Sequence, residues 1–166
     1  MNWKEVCESP ELQNLPFKLE LNKDGEVVMN AVQVNHALFA GKIIHFLEIH
    51  LPNRYSLPEF PVMTSDNVKS PDVVWISGER LEQVKGLVAA NISPEICVEV
   101  KSPHKTWKKL YEKAQLYFEQ SALEVWFCNE QGAMTFTNLD GPSSALWVGP
   151  NLSSAIGVVA ADLHIG

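Results

Sequence analysis

The stretch PEICVEVKSP, residues 94–103, joins an apolar strand pattern to a charged pair at its end. Successive side chains of a strand point to opposite faces of the sheet. One face of this stretch is therefore purely apolar and is formed by Ile96, Val98 and Val100. The opposite face carries Glu99 and Lys101, roughly 6.6 Å apart along the strand. The stretch predicts a buried strand over 96–101 that presents a carboxylate and an ammonium group on one side.

Hydrophobic patterning predicts that strands and helices flank this central strand. Helical spacing is strongest over 34–51, where Pro52 ends the pattern, and over 105–120. Shorter helices are expected over 3–13 and 78–85. Strands are expected over 17–21, 26–29, 60–63, 73–76, 124–128, 133–137 and 145–148. This order indicates an α/β sandwich with a mixed sheet, formed by one domain over 1–166.

Composition and charge favour a globular protein with its own core. The chain has 166 residues, of which 46% are hydrophobic and 20% are charged. Three scattered cysteines without a CxxC motif fit a reducing compartment. The first residues lack the apolar core of a signal peptide, and no apolar run reaches membrane-spanning length. We therefore expect a cytoplasmic protein.

The basic residues are concentrated beside the central strand, although the net charge is −7. The negative total argues against an extended nucleic-acid surface. The local cluster consists of Lys101, Lys105, Lys108, Lys109 and Lys113. Such a cluster is either the solvated face of a helix or a surface that binds phosphate groups, and the sequence leaves both interpretations open.

Two carboxylates stand at the ends of apolar strands. Asp72 directly precedes VVWI, and Glu99 lies near the exit of ICVEV. If these strands are antiparallel neighbours, both carboxylates lie at the same end of the sheet. Two adjacent carboxylates repel each other unless a cation lies between them, and hard oxygen ligands suit Mg²⁺ or Mn²⁺. With Lys101 on the face of Glu99, the group predicts metal-assisted phosphodiester hydrolysis.

Each residue of this group also has a purely structural interpretation. Glu99 and Lys101 can form an exposed ion pair that contributes well under ~1 kcal/mol. Asp72 follows Pro71 and can serve the turn before its strand. The pattern D…ExK is short, and chance matches to it are common.

The ordered series of motifs is more specific than this short pattern. It comprises LELNKDGEVV, then His36 at the first long helix, SPDVVWIS, PEICVEVKSP, a helix with Lys113 and Tyr117 four residues apart, and LEVWF. Over residues 17–129 this series resembles the PD-(D/E)xK nuclease superfamily and, in detail, its Uma-two family of restriction-endonuclease-like proteins. The resemblance implies a restriction-endonuclease-like α/β (α+β) fold, with a mixed central β-sheet flanked by helices.

The resemblance also assigns roles to residues. It implies that Asp72 and Glu99 are metal ligands, that Glu20 completes the metal site, and that Lys101 is the catalytic lysine. Lys113 matches a helix lysine that takes over this role in relatives without a strand lysine, so the division between the two lysines stays open. Lys109 departs from the family pattern, because relatives often have an Asp there.

The sequence therefore predicts an endonuclease that depends on Mg²⁺ or Mn²⁺ and hydrolyses DNA. DNA as the substrate follows from the resemblance, and the lysine cluster is expected to hold its backbone. One alternative is a binding or regulatory module that keeps the fold without catalysis, which the acidic net charge and Lys109 favour. Another is a structural subunit of an oligomer. The sequence leaves the oligomeric state open, with a homodimer as one option.

Overall fold

The computed structural model describes residues 1–51 and 54–142. Within this part of the chain there are four α-helices: α1 (Trp3–Glu8), α2 (Val34–His50), α3 (Gly78–Val84) and α4 (Trp107–Glu119). The described strands are β1 (Phe17–Leu21), β2 (Val27–Ala31), β3 (Tyr55–Pro58), β4 (Val62–Thr64), β5 (Asn67–Lys69), β6 (Val73–Ile76), β7 (Ile96–Val100), β8 (Glu124–Cys128), β9 (Met134–Asn138) and β10 (Gly141–Pro142).

A six-stranded mixed sheet forms the centre of the molecule, in the order β10-β9-β8-β7-β6-β3. Strands β7 and β8 are parallel, and α4 provides the crossover that a parallel pair needs. The other neighbours in this sheet pair antiparallel. The predicted fold class, a mixed central sheet flanked by helices, is therefore confirmed.

The alternation within β7 divides the core into two layers. Val98 and its apolar neighbours on one face pack in a cluster with Phe39, Ile43 and Leu47 of α2. Cys97, on the opposite face, belongs to a second cluster with Leu110, Ala114 and Tyr117 of α4. Every side chain of β7 is buried, Glu99 included. The charged position predicted from the sequence is thus inside the protein, under α4.

The β1–β2 hairpin is a separate two-stranded sheet that lies against the end of the main sheet where β6 begins. The NKDG turn joins its strands as predicted, and Gly25 has a φ of 74°, which glycine adopts without strain. Lys18 and Glu20 lie on the buried face of β1. Ser70 N–H donates to Glu20 at 3.0 Å, and this bond ties the hairpin to the segment that leads into β6.

Several predicted elements differ from the structure. The helix expected over 3–13 stops at Glu8, and Pro10–Leu12 form a separate 3₁₀ turn, because Pro10 has no N–H for a continuous helix. The strand expected over 60–63 is found as the short strand β4, and the sequence pattern does not predict β3 and β5 on either side of it. Short strands beside prolines carry too little periodicity to be recognised. The strand expected over 145–148 lies outside the described residues.

No helix in the described part of the chain is long and apolar enough to cross a membrane.

Candidate active site

Asp72 and Glu99 lie side by side at one end of the central sheet. Strands β6 and β7 are antiparallel, with Val73 opposite Val98, so Asp72 is opposite Glu99 in the same register. The backbone N–H of Asp72 donates to the carbonyl of Val98 at 2.9 Å. Both carboxylate side chains have an exposed fraction of zero. The antiparallel pairing on which the sequence argument depended is confirmed.

The Asp72 carboxylate is held by groups from four parts of the chain. Lys18 Nζ donates to Oδ1 at 2.5 Å, and the backbone N–H of Val100 donates to Oδ2 at 2.7 Å. His36 Nε2 and Lys105 Nζ lie 3.2 Å and 3.5 Å from Oδ2. Burial alone would raise the pKa of Asp72, but Lys18 and His36 outweigh it and hold this pKa well below its ordinary value of 3.8. Asp72 is therefore a buried, ionised carboxylate.

The two oxygens of Glu99 have different surroundings. Oε1 accepts a hydrogen bond from the Tyr117 hydroxyl at 2.7 Å, and Lys113 Nζ lies 2.8 Å from the same oxygen. Oε2 is buried and has no hydrogen-bond donor among the described residues, with Lys105 Nζ at 3.5 Å. Burial and the adjacent Glu99 raise the pKa of Tyr117 well above its ordinary value of 10.0, so the phenol stays a donor.

Lys113 links Glu20 to Glu99. Its Nζ lies 2.8 Å from Oε1 of each carboxylate. Burial alone would lower the pKa of Lys113, but Glu99 and Glu20 raise it above its ordinary value of 10.5. Burial would likewise raise the pKa of Glu20, but Lys113 and Lys18 lower it below 4.5. Glu20, the predicted third acid, is thus linked to Glu99 by the Lys113 ammonium group, which lies between the two carboxylates.

Lys101 lies one residue beyond the end of β7 and turns toward another acid. Its Nζ donates to Glu130 Oε1, and its backbone N–H donates to the carbonyl of Cys128 at 2.8 Å. With His36 and Glu130 it lines a cavity of about 260 Å³. Of the two lysines between which the sequence could not choose, Lys113 is the one in contact with Glu99 in this structure.

A larger cavity of about 380 Å³ opens above Asp72. Four lysines line it: Lys18, Lys105, Lys109 and Lys113. Lys108, also expected in the phosphate-binding cluster, points to solvent and lies 3.8 Å from Glu112. Three members of the predicted cluster therefore line this cavity, where four lysines stand beside two acids, Glu20 and Asp72, although the protein as a whole is acidic.

Lys18 is the residue of this site that the sequence analysis did not identify. The pattern FKLEL contains a usable signal, because strand alternation puts Lys18 on the same face as Glu20. What the pattern lacks is the partner, since Asp72 is 54 residues away in the sequence. His36, named in the motif series at the first long helix, also belongs to the site, because its Nε2 lies 3.2 Å from Asp72 Oδ2.

The donor set fits a divalent cation held by few protein ligands. No group of three or more His, Cys, Asp or Glu side chains in residues 1–51 and 54–142 is arranged to hold a metal ion. Asp72 and Glu99 nevertheless supply two buried carboxylates, and the buried Oε2 of Glu99 lacks a donor within the described residues. Mg²⁺ is commonly held by one or two carboxylates, with waters and substrate phosphate as its other ligands. The two acids fit that type of site.

The fold and this chain's sequence both have counterparts among known proteins. A solved structure described as a putative nuclease belonging to DUF820 from Anabaena variabilis ATCC 29413 superposes with a TM-score of 0.70. The two sequences are 14% identical, and the match covers 98% of this chain and 99% of the other. This likeness concerns the fold. A comparison with curated proteins gives no match.

Residues 3–143 match the family model Uma2, whose description is "Putative restriction endonuclease". This span includes both strands of the carboxylate pair, the β1–β2 hairpin and α4, and so contains every residue of the site described above. The chain belongs to the Uma2 family of restriction-endonuclease-like proteins.

Proposed function

We propose that this protein is a divalent-metal-dependent endonuclease that hydrolyses DNA phosphodiester bonds. The observation that carries the proposal is the buried Glu99 Oε2, which shares the Lys105 ammonium with Asp72 Oδ2 at 3.5 Å and accepts no hydrogen bond from the described residues. A buried carboxylate oxygen without a donor is costly unless a ligand completes it. Membership of a nuclease family indicates a nucleic-acid substrate. Within that class we propose DNA.

Asp72 and Glu99 would hold Mg²⁺ or Mn²⁺ between them. The bound metal would supply an activated water and neutralise charge on the phosphate. The chain's own contribution is to hold both carboxylates in place. Lys18 holds one oxygen of Asp72, and the Val100 N–H holds the other. Tyr117 and Lys113 hold Glu99 Oε1, while the second oxygen of that carboxylate accepts no hydrogen bond from the described residues.

The lysines divide into two groups in this proposal. Lys113 is the ammonium beside Glu99 and stabilises negative charge that develops at the reacting phosphate. Glu20 holds Lys113 at that place. Lys105 and Lys109 line the same cavity and bind backbone phosphates. Lys101 lies in the adjoining cavity and binds the strand on that side.

The test is cleavage of supercoiled plasmid with Mg²⁺ or Mn²⁺. Glu99→Gln and Asp72→Asn keep the shape of each side chain and remove its charge, so we expect each to lower the rate by roughly 10²–10³-fold. Glu95→Gln is the matched control, because Glu95 is buried at the other end of the central strands and pairs with Arg80. Cleavage by Glu99→Gln at the parent rate, or cleavage that persists in a chelator, would contradict the proposal.

One observation favours the alternative of a binding module without catalysis. Glu20, Asp72 and Glu99 are already neutralised by Lys18, Lys105 and Lys113, so the site is electrically balanced without a divalent ion. A binding module would shift a labelled duplex in a gel equally well with and without Mg²⁺ and would leave it intact. An endonuclease of the proposed kind would cut the duplex only when the metal is present.

A further inference from the structure

Lys105 occupies the gap between the two carboxylates. Its ammonium nitrogen lies 3.5 Å from Asp72 Oδ2 and 3.5 Å from Glu99 Oε2. Lys105 belongs to the loop between β7 and α4, where its N–H donates to the carbonyl of Ser102 at 3.0 Å. The side chain is 17% exposed and lines the larger cavity. One positive charge thus lies where a cation bridging the two acids would be expected.

Lys105 is held less tightly than the other two lysines that contact the acids. Lys18 approaches Asp72 to 2.5 Å, and Lys113 approaches its carboxylates to 2.8 Å. Lys105 makes only long contacts, and the Glu99 oxygen it faces is without a hydrogen bond in the part of the chain that the structure describes. Its attraction to Glu99 is therefore electrostatic, with little directional constraint. Of these three lysines, Lys105 can leave at the lowest cost.

We propose that Lys105 is a resident counter-ion that competes with the divalent metal for the gap between Asp72 and Glu99. The inference rests on the proposed function and adds a regulatory step to it. A metal ion binds carboxylate oxygens at about 2.0–2.6 Å. An ammonium 3.5 Å from the same two oxygens would repel it at close range. Metal entry therefore requires Lys105 to move out.

The displaced ammonium remains at the cavity, because its loop is anchored at both ends by β7 and α4. There it can bind a phosphate of the substrate, because Asp72 and Glu99 no longer neutralise its charge. Metal and nucleic acid then help each other to bind, since each stabilises the state in which Lys105 has left the acids. Linkage requires this coupling to be equal in both directions.

The experiment is a calorimetric titration of the full chain with Ca²⁺, first alone and then with a short DNA duplex whose integrity is checked afterwards. Lys105→Met removes the counter-ion, and Lys105→Arg keeps the charge. Lys85→Met is the matched control, because it also removes one cation but lies beyond α3, where Lys85 pairs with Glu82. Circular dichroism of each variant reports whether it is folded.

Without DNA, we expect Lys105→Met to bind Ca²⁺ roughly 5–150-fold more tightly than the parent, which is the usual range of coupling between sites. Lys105→Arg should bind Ca²⁺ more weakly than the parent, because a guanidinium can hold both carboxylates at once. Lys85→Met should match the parent. The duplex should raise the Ca²⁺ affinity of the parent and have less effect on Lys105→Met.

Equal or weaker Ca²⁺ binding by Lys105→Met overturns the competition but leaves the proposed function intact. If Lys105→Met does not fold, Lys105→Arg decides, and parent-like affinity in that variant overturns the competition. No Ca²⁺ binding by the parent or any variant, with or without duplex, overturns both the competition and the metal-dependent function.

Discussion

The two ends of the central strands both bury charged residues, but they differ in how fully these residues are hydrogen-bonded. At the end away from the cavity above Asp72, Arg80 Nε lies 3.4 Å from Glu95 Oε1. Glu95 Oε2 accepts from the N–H of Ser77 at 2.9 Å. Arg80 Nη1 donates to the carbonyls of Ser93 and Ser121 at 2.7 Å and 2.9 Å. Each charge there has a fixed partner, as expected of a structural ion pair.

At the end that carries Asp72 the buried charges are also paired, but not every buried carboxylate oxygen accepts a hydrogen bond. Asp72 and Glu20 are satisfied by lysines and backbone N–H groups. Glu99 keeps one buried oxygen to which no described residue donates, and Lys105 faces it from 3.5 Å. Burial of a carboxylate is thus not by itself a sign of function. The two ends differ in Glu99 Oε2, a buried oxygen to which no described residue donates and which is therefore available to a ligand.

The largest expected effect comes from removing the cation that two acids share. Lys113→Met should lower the free energy of unfolding by roughly 3–5 kcal/mol, because Glu20 and Glu99 would be left buried without their common partner. Arg80→Met should cost less, since Glu95 is 11% exposed and keeps the Ser77 N–H. Urea denaturation followed by tryptophan fluorescence measures both. An equal loss in the two variants would remove the contrast between the two ends.

Acid unfolding gives an intermediate effect with a defined sign. The pKa values of Asp72 and Glu20 are lowered by folding, so the unfolded chain binds more protons in acid. Their contribution to stability is complete above their ordinary values of 3.8 and 4.5 and is lost as the pH falls below them. Lys18→Met removes the cation nearest to Asp72, and we expect its acid unfolding midpoint to move to higher pH. A midpoint equal to that of the parent would show that Lys18 does not support Asp72.

The smallest expected effect concerns Lys101, the lysine of the ExK motif. Its partner Glu130 is 37% exposed on its side chain, so Lys101→Met should change the free energy of unfolding by about 1 kcal/mol or less. Loss of one phosphate contact should weaken duplex binding. It should also reduce the slope of the logarithm of the binding constant against the logarithm of the salt concentration by about one. Lys85→Met is the control for net charge. A Lys101→Met variant as unstable as Lys113→Met would place the two lysines in the same network.

Local pattern was enough for much of the fold and for the two central acids. The alternation in ICVEV correctly predicted an apolar face with Glu99 on the opposite side, since strand geometry depends only on neighbouring residues. The predicted pairing of Lys101 with Glu99 on that side is wrong, because the strand ends at Val100 and Lys101 turns to Glu130. Helical spacing correctly located α2 and α4, and the N-cap at Thr106 sets the start of α4 at Trp107, two residues later than predicted. Asp72 and Glu99 could be paired because both border strong apolar strands. The short strands β3, β4 and β5 lacked such a pattern.

By itself, then, the sequence determined the mixed sheet, the buried strand and the pair of acids at its end. Only the tertiary structure decided which cations meet them. Lys18 comes from a hairpin 54 residues away from Asp72, and Lys113 comes from α4, while Lys101 turns to Glu130. Backbone periodicity extends only a few residues along the chain, whereas the direction of a long, flexible lysine depends on which charges the folded chain brings within reach.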